Sequence, residues 1–366
     1  MPIYLDRHEM PNGVTAEHVA EMHQADLKIE HEFNCRGLTY WCDEKRQTAF
    51  CLIEAPNKKA IKELHENAHG DVPLRIIEVD ENIVESFLGR IEDPEKSQNT
   101  ELNIINDPAF RVLMAVELSY YFSEIEDLQF NLFAQKLHKN IAETIKKFNG
   151  RVVKKDHNNY LISFHSVTDA VLCASNTMNS SNFCKPDSGV VQLNIGLSCG
   201  VPVTQKENIF EDTIALSTRM CNFVKEPLVI SNDVKLLYES ENQNASIDNK
   251  LVKTLKPSEE KFLTQFVDFL ETTWDNPNLK VNDFGKSLGL SKSQLYRKLT
   301  NLSGKSPNNF LKEYRLHKAL DLFRNQKGNI SEIAFEAGFN SAAYFSKCFL
   351  SKYGILPSTY IQQHLA

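Results

Sequence analysis

Six of the eleven histidines (His8, His18, His23, His31, His65 and His69) fall in the first 69 residues of a 366-residue chain. His65-x-x-x-His69 puts two imidazoles one turn apart on one helix face, a spacing that brings two nitrogen ligands to a single ion. His18 and His23 lie on an earlier helical stretch, with Asp26 three residues beyond His23, and His8 ends the first strand. Imidazole mixed with carboxylate suits nickel, zinc or copper. The competing reading is a set of exposed polar side chains, since His-x-x-x-His alone supplies no third ligand.

The other end of the chain offers different chemistry. Val281–Leu288 reads as a short helix, Gly289 as a tight turn, and Ser291 as the N-cap of a helix reaching Thr300. Leu288, Leu290, Leu295 and Leu299 recur at helical spacing as a shared core. Lys292, Ser293, Tyr296, Arg297 and Lys298 are left facing outward. The pattern repeats about fifty residues on. There Ser331 is read as the cap of Glu332–Ala337, Gly338 as the turn, and Ser341 as the start of a helix through Lys352. Ile333, Ala334, Ala337, Phe339, Phe345 and Phe349 face inward in that unit. A helix opened by Pro307 and running to Arg324 joins the two. Its roughly 18 residues span ~27 Å, close to the ~34 Å between successive major grooves on one face of DNA. A short helix fits the major groove, its first-turn N–H groups can take a phosphate, and Arg297 can address a guanine edge with two hydrogen bonds.

Charge agrees with that division. The net charge is −7, yet Leu251–Ala366 carries 16 Lys/Arg against 10 Asp/Glu, and the preceding 250 residues carry 25 against 38. A basic terminal block on an acidic body is expected where one part touches phosphates and the rest does not. Hydrophobic residues at 42% and charged residues at 24% describe a globular chain of two or three domains. No apolar run reaches the roughly 20 residues needed to cross a bilayer, and Asp6, Arg7, His8 and Glu9 rule out a secretory core segment. Eight scattered cysteines without a Cys-x-x-Cys imply reduced, mostly buried thiols in a soluble, cytoplasmic protein.

The elements that must hold these residues form three blocks. In the first, strands at Ile3–Arg7, Leu38–Cys42, Thr48–Glu54 and Leu74–Val79 alternate with helices at Thr15–Glu32 and Asn57–His69 in the order βαββαβ. A linker follows at Glu92–Glu101. The second block has strands at Arg111–Leu118, Arg151–Lys155, Tyr160–Phe164, Val190–Gly200 and Leu228–Ser231, with helices at Ile125–Phe148, Thr168–Met178 and Asp212–Val224. Its order is again βαββαβ with additions. A second linker spans Glu239–Ser258, and the rest is helical. The expected fold is therefore α+β joined to all-α: two ferredoxin-like (βαββαβ) domains, at 1–88 and 103–240, and a helical domain at 257–366 with two helix-turn-helix units.

Three resemblances add to this reading. Gly289-Leu290-Ser291-Lys292-Ser293-Gln294-Leu295-Tyr296-Arg297, Gly304-x-Ser306-Pro307, Ile333-Ala334-x-x-Ala337-Gly338-Phe339 and Tyr353-Gly354-x-x-Pro357 resemble the AraC family DNA-binding domain over Glu259–Gln362. The resemblance implies a sequence-specific transcription regulator, usually an activator, working with RNA polymerase and as a homodimer. By position it makes Ser293, Tyr296 and Arg297 base-facing in the first unit, and Ala342, Ala343 and Lys347 in the second, where Asn340 and Ser341 open the reading helix. Gly285 departs from the alanine usual there. Gly150-Arg151-Val152-Val153-Lys154, Asn194-Ile195-Gly196-Leu197 and Ile214-Ala215-Leu216-Ser217-Thr218-Arg219 are similar to the class III nucleotide cyclases over Val112–Leu237. The positions of the two metal-binding aspartates hold Val116 and Asn158, and that of the transition-state asparagine holds Ala215. Two-metal phosphoryl chemistry therefore has no scaffold. A dimerisation module, or a ligand-sensing pocket with Lys154 and Arg219 on an anion, is what the resemblance leaves; an active cyclic-nucleotide-forming enzyme is the disfavoured alternative.

Finally, Tyr4-Leu5-Asp6-Arg7-His8, Leu38-Thr39-Tyr40-Trp41, Ala49–Pro56 and His65-x-x-Ala68-His69-Gly70 look like a small ferredoxin-like family with nickel-binding members over Met1–Asp80. That implies a metal-sensing domain for nickel or another divalent ion. His8, His65 and His69 are its leading ligands, with His23 and Asp26 next. A small-molecule or redox-active pocket around Tyr40, Trp41 and Cys51 is the alternative there, set against plain core packing.

Overall fold

A computed structural model describes all residues except 95–101, 123–126, 157, 183–188, 243–246, 248–250, 326–327 and 365–366. Most of the Glu92–Glu101 linker, together with His157 and Cys184, lies outside the described residues.

The N-terminal part runs β1 (Ile3–Glu9), α1 (Ala16–Ile29), β2 (Arg36–Asp43), β3 (Thr48–Glu54), α2 (Lys58–Ala68), β4 (Arg75–Val79) and α3 (Glu81–Leu88). Its four strands form an antiparallel sheet ordered β2-β3-β1-β4. Successive side chains on a strand alternate between faces. Tyr4, Tyr40, Cys42, Cys51 and Ile53 accordingly pack under Ala16, Val19, Ile61 and Leu64 of α1 and α2. Leu5, Trp41, Phe50, Leu52 and Ile77 point the other way, onto Val84, Phe87 and Leu88 of α3 and onto Leu113, Val203, Ile209 and Phe210 from further along the chain. Both faces are covered, so β3 is buried along nearly its whole length. The sequence reading carries this block to residue 88 but places no helix after Val79; the eight-residue α3 occupies that stretch.

The middle part runs β5 (Arg111–Phe122), α4 (Asp127–Lys147), β6 (Arg151–Asp156), β7 (Asn159–Phe164), α5 (Val167–Asn182), β8 (Gly189–Gly200), α6 (Glu211–Phe223), β9 (Leu228–Ile230), α7 (Asn232–Glu241) and β10 (Lys253–Thr254). The sheet order is β10-β9-β8-β5-β7-β6. Val112, Met114 and Val116 of β5 face Leu137, Ile141 and Ile145 of α4 and Ala170 and Ala174 of α5. The opposite face receives α3 and α6. Buried Arg111 ties α3 down by donating to the Phe87 and Leu88 carbonyls at its C-terminus, at 3.2 and 3.0 Å. Gly196 and Gly200 let α6 lie directly on β8: a Cβ on Gly196 would stand 2.1 Å from the Ser217 carbonyl oxygen, and one on Gly200 2.3 Å from Thr213 Oγ1. The expected Glu239–Ser258 linker is corrected. Its start is the last turn of α7, and Lys253–Thr254 adds a parallel strand to β9.

The rest is helical: α8 (Pro257–Glu271), α9 (Val281–Leu288), α10 (Lys292–Ser303), α11 (Pro307–Arg324), α12 (Ile330–Glu336), α13 (Ala342–Tyr353) and α14 (Pro357–His364). Phe310, Leu311 and Tyr314 put the first half of α11 in one core with α8, α9 and α10, and Leu316, Ala319 and Phe323 put its second half in another with α12 and α13. No helix among the described residues is long and apolar enough to cross a membrane.

Candidate metal centre and nucleic-acid interface

The strand alternation that places Tyr4 under the helices does the same for Asp6 and His8. α1 contributes Asp26, and the last turn of α2 contributes His65, with His69 at its C-cap. His65 Nδ1 lies 3.1 Å from Asp26 Oδ1 and 3.1 Å from His69 Nε2, and His69 Nε2 lies 3.3 Å from Asp26 Oδ1. Ligand atoms bound at about 2.0–2.2 Å to one ion stand roughly 3 Å apart, so this triangle fits a small divalent cation. His65 Nε2 faces Asp6 Oδ2 at 2.9 Å, which fixes the ring so that Nδ1 is presented to the triangle. His69 Nδ1 accepts the Asp71 backbone N–H at 3.2 Å, a tautomer that leaves Nε2 protonated, so ligation by His69 requires that long bond to be given up.

The electrostatics follow from burial against pairing. Asp6 is 1% exposed and Asp26 3%. Burial alone would raise Asp6, yet His8 and His65 hold it far below the usual carboxylate range. Burial likewise opposes charge on His65, but hydrogen bonds with Asp26 and Asp6 raise it to about 10. His8 is raised to about 9 against its own desolvation, chiefly by Asp6. Burial and the neighbouring carboxylates Asp6, Asp26 and Asp71 push the Cys51 thiol well up.

Of the five expected ligands, Asp26, His65 and His69 meet, and His8 stands beside them with its ring centre 4.9 Å from that of His65. His23 does not join them. Its ring turns from α1 onto Tyr40, centroids 4.9 Å apart, and its Nε2 faces Asp93 at 3.4 Å. Asp6 and Asp71 were missed, and Cys51 was named only for the alternative pocket. Asp6 was findable, because it lies two residues before His8 on one strand face. The alternative pocket of Tyr40, Trp41 and Cys51 is also corrected. Trp41 points into the opposite face from the other two, and the Tyr40 hydroxyl is fully engaged by the Asn103 carbonyl and the Ile105 N–H.

At the other end, the Ser291 hydroxyl accepts the Gln294 N–H at 3.2 Å while Gln294 Oε1 accepts the Ser291 N–H at 2.9 Å, a closed capping box. Leu295 and Leu299 are buried, which leaves Lys292, Ser293, Tyr296 and Arg297 exposed on α10. Lys298 is a correction: it is half-buried, with its ammonium 5.5 Å from the centre of the Phe262 ring of α8, rather than fully outward. In the second unit the Ser341 hydroxyl caps α13 through Tyr344. Phe345 and Phe349 are buried there, and Asn340, Ser341, Ala343 and Lys347 are exposed, with Ala342 half-buried. The cap of α12 is Asn329, not Ser331; its carboxamide oxygen accepts from Ser331 and Glu332. Arg315 on α11 fixes the units together by donating to the Trp274 and Asn276 carbonyls at 2.7 and 2.6 Å, directly under the Gly338 turn. Gly285 also has its reason, since a Cβ there would lie 2.7 Å from the Leu290 carbonyl oxygen.

Residues 284–363 match the family described as Helix-turn-helix domain. The C-terminal region is an AraC-type DNA-binding domain. Residues 4–79 match the family described as Nickel responsive protein SCO4226-like. Among curated relatives, the Msm operon regulatory protein of Streptococcus mutans is 40% identical over 86 residues, 23% of this chain and 30% of that protein. Histidine kinase P4 of Formosa agariphila is 36% identical over 107 residues, 29% of this chain and 8% of that protein. The chain thus spans less than half the length of either. Among solved structures, an AraC-type regulator from Chromobacterium violaceum is 25% identical over 30% of this chain and 97% of its own, with a TM-score of 0.28. SCO4226 from Streptomyces coelicolor is 34% identical over 21% and 94%, with a TM-score of 0.20.

The sequence-expected anion pocket of Lys154 and Arg219 is not assembled. Lys154 is exposed on β6, one edge of the middle sheet, whereas Arg219 on α6 is bound to Asp268 and Glu271 of α8 at 2.6 and 3.1 Å. Val116 is buried against α4 and α5, where an ionised carboxylate would have no water.

Proposed function

We propose that the chain is a metal-responsive, sequence-specific transcription regulator: the AraC-type domain reads DNA, and divalent metal, nickel foremost, acts as effector at Asp26, His65 and His69. The observation that carries the reading is the coexistence of that buried ligand triangle with two capped, outward-facing reading helices in one chain. Asp26 and His65 sit on different helices, so ligation draws α1 and α2 together, while Asp6 orients His65. When bound, the ion supplies a positive charge that replaces protons between buried carboxylates.

The finer organisation belongs to the same reading. The strand orders support two ferredoxin-like domains, at 1–88 and 103–240, before the DNA-binding domain at 257–366. The middle one is read as a cyclase-like module without catalysis, serving dimerisation; the separation of Lys154 from Arg219 disfavours its sensing role. DNA, RNA polymerase and a second copy of the chain are its partners, in the cytoplasm.

Binding is tested by fluorescence anisotropy on a duplex selected from a random-sequence pool, with and without nickel. Arg297→Ala is expected to weaken specific binding by about 1–3 kcal/mol and to relax preference at one base position. A preference unchanged at every position would remove Arg297 from the reading role. Identical affinity with and without nickel, for a protein shown to hold the metal, would remove the effector role.

A further inference from the structure

His8 uses its two ring nitrogens differently. Nδ1 meets the Asp71 carboxylate at 2.8 Å. Nε2 is buried without a hydrogen-bond partner, in a residue only 4% exposed, and lies 3.4 Å from Asp6 Oδ1. A carboxylate on one imidazole nitrogen with the other free of hydrogen bonds is the arrangement that presents a histidine to a metal ion. Here it repeats what Asp6 does for His65. The third group is Cys51, paired across the strands with the Asp6 position: its N–H donates to Asp6 Oδ1 at 2.9 Å. One ligand atom each from Asp6, His8 and Cys51 lies within 4.8 Å of the others.

We propose that Asp6, His8 and Cys51 form a second divalent-cation position beside the Asp26, His65 and His69 triangle. Asp6 serves this position through Oδ1 and holds His65 of the first through Oδ2. Thiolate with imidazole and carboxylate suits zinc, nickel or cobalt rather than magnesium or calcium. Formal charge is balanced as well: two dications match Asp6, Asp26, Asp71 and the Cys51 thiolate. Asp71, 44% exposed, lies at the rim and offers the entry point. The inference rests on the reading of the first triangle as a metal site.

Cobalt is the probe, titrated into the full chain and followed by bound equivalents and by the near-ultraviolet thiolate-to-cobalt absorption. The expected result is two equivalents per chain with a sulfur band. Cys51→Ser should lose the band and one equivalent, and His8→Gln should lose one equivalent while the thiol remains. His65→Ala should remove the other equivalent and keep the band. One equivalent without a sulfur band, or a band that survives Cys51→Ser, overturns the second position and leaves the first standing. No bound cobalt, nickel or zinc at all overturns both.

Discussion

Calorimetric titration of nickel into a His65→Ala variant is expected to give no saturable binding at micromolar concentration, where the parent chain is expected to saturate. Among the described residues His65 alone lies in hydrogen-bond reach of both Asp6 and Asp26, so its loss removes a ligand and also the group that offsets two buried carboxylates. Stability must fall too, by about 3–5 kcal/mol, the usual result of removing one partner from a buried ion pair. His69→Ala separates the two effects, because His69 sits at the helix end near the rim. Outer-sphere partners alone contribute about 10–100-fold to metal affinity, so loss of this ligand should cost at least about a hundredfold, with stability nearly unchanged. A His69→Ala protein that binds nickel as tightly as the parent would take His69 out of the site.

Gly196→Ala is the other large effect, and it concerns the scaffold. The added methyl would meet the Ser217 carbonyl oxygen at 2.1 Å and the Cys221 nitrogen at 2.8 Å, both backbone atoms of α6 that no side-chain rotation can clear. Overpacking costs about 1–3 kcal/mol where side chains can give way, so about 3 kcal/mol or more is expected here. Gly70→Ala is the control: with φ +81 and open space around it, the cost is the left-handed backbone alone, about 1–2 kcal/mol. Denaturant midpoints of the two variants check the order, and equal midpoints would mean that α6 does not lie on β8 as described.

Much of the architecture was legible because periodicity survives in sequence. The continuous apolar run along Thr48–Glu54, bounded by polar turns, and the inward Phe345 and Phe349 are both local signals. What could not be read locally is what covers a surface. The far face of the first sheet is sealed by α3 and by Leu113 and Phe210, residues remote in sequence, and only that seal makes Trp41 a core residue. The metal ligands show the same limit. His65 and His69 were found by helical spacing and His8 by residue type, while His23, equally plausible by type, turns toward Asp93, and Lys298 was lost from the reading face to an aromatic ring on α8.

The shared core around α6 has a practical corollary for anyone who would borrow the reading head. Met220, Val224 and Val229 fill the same core as Phe262, Phe266 and Leu299, and the Lys225 N–H donates to the Leu302 carbonyl at 3.0 Å. A fragment cut at the sequence boundary near residue 257 would leave that wall of its interior open to water. Grafting this DNA-recognition unit onto another protein therefore requires α6 and β9 to travel with it, or their apolar side chains to be replaced by the host.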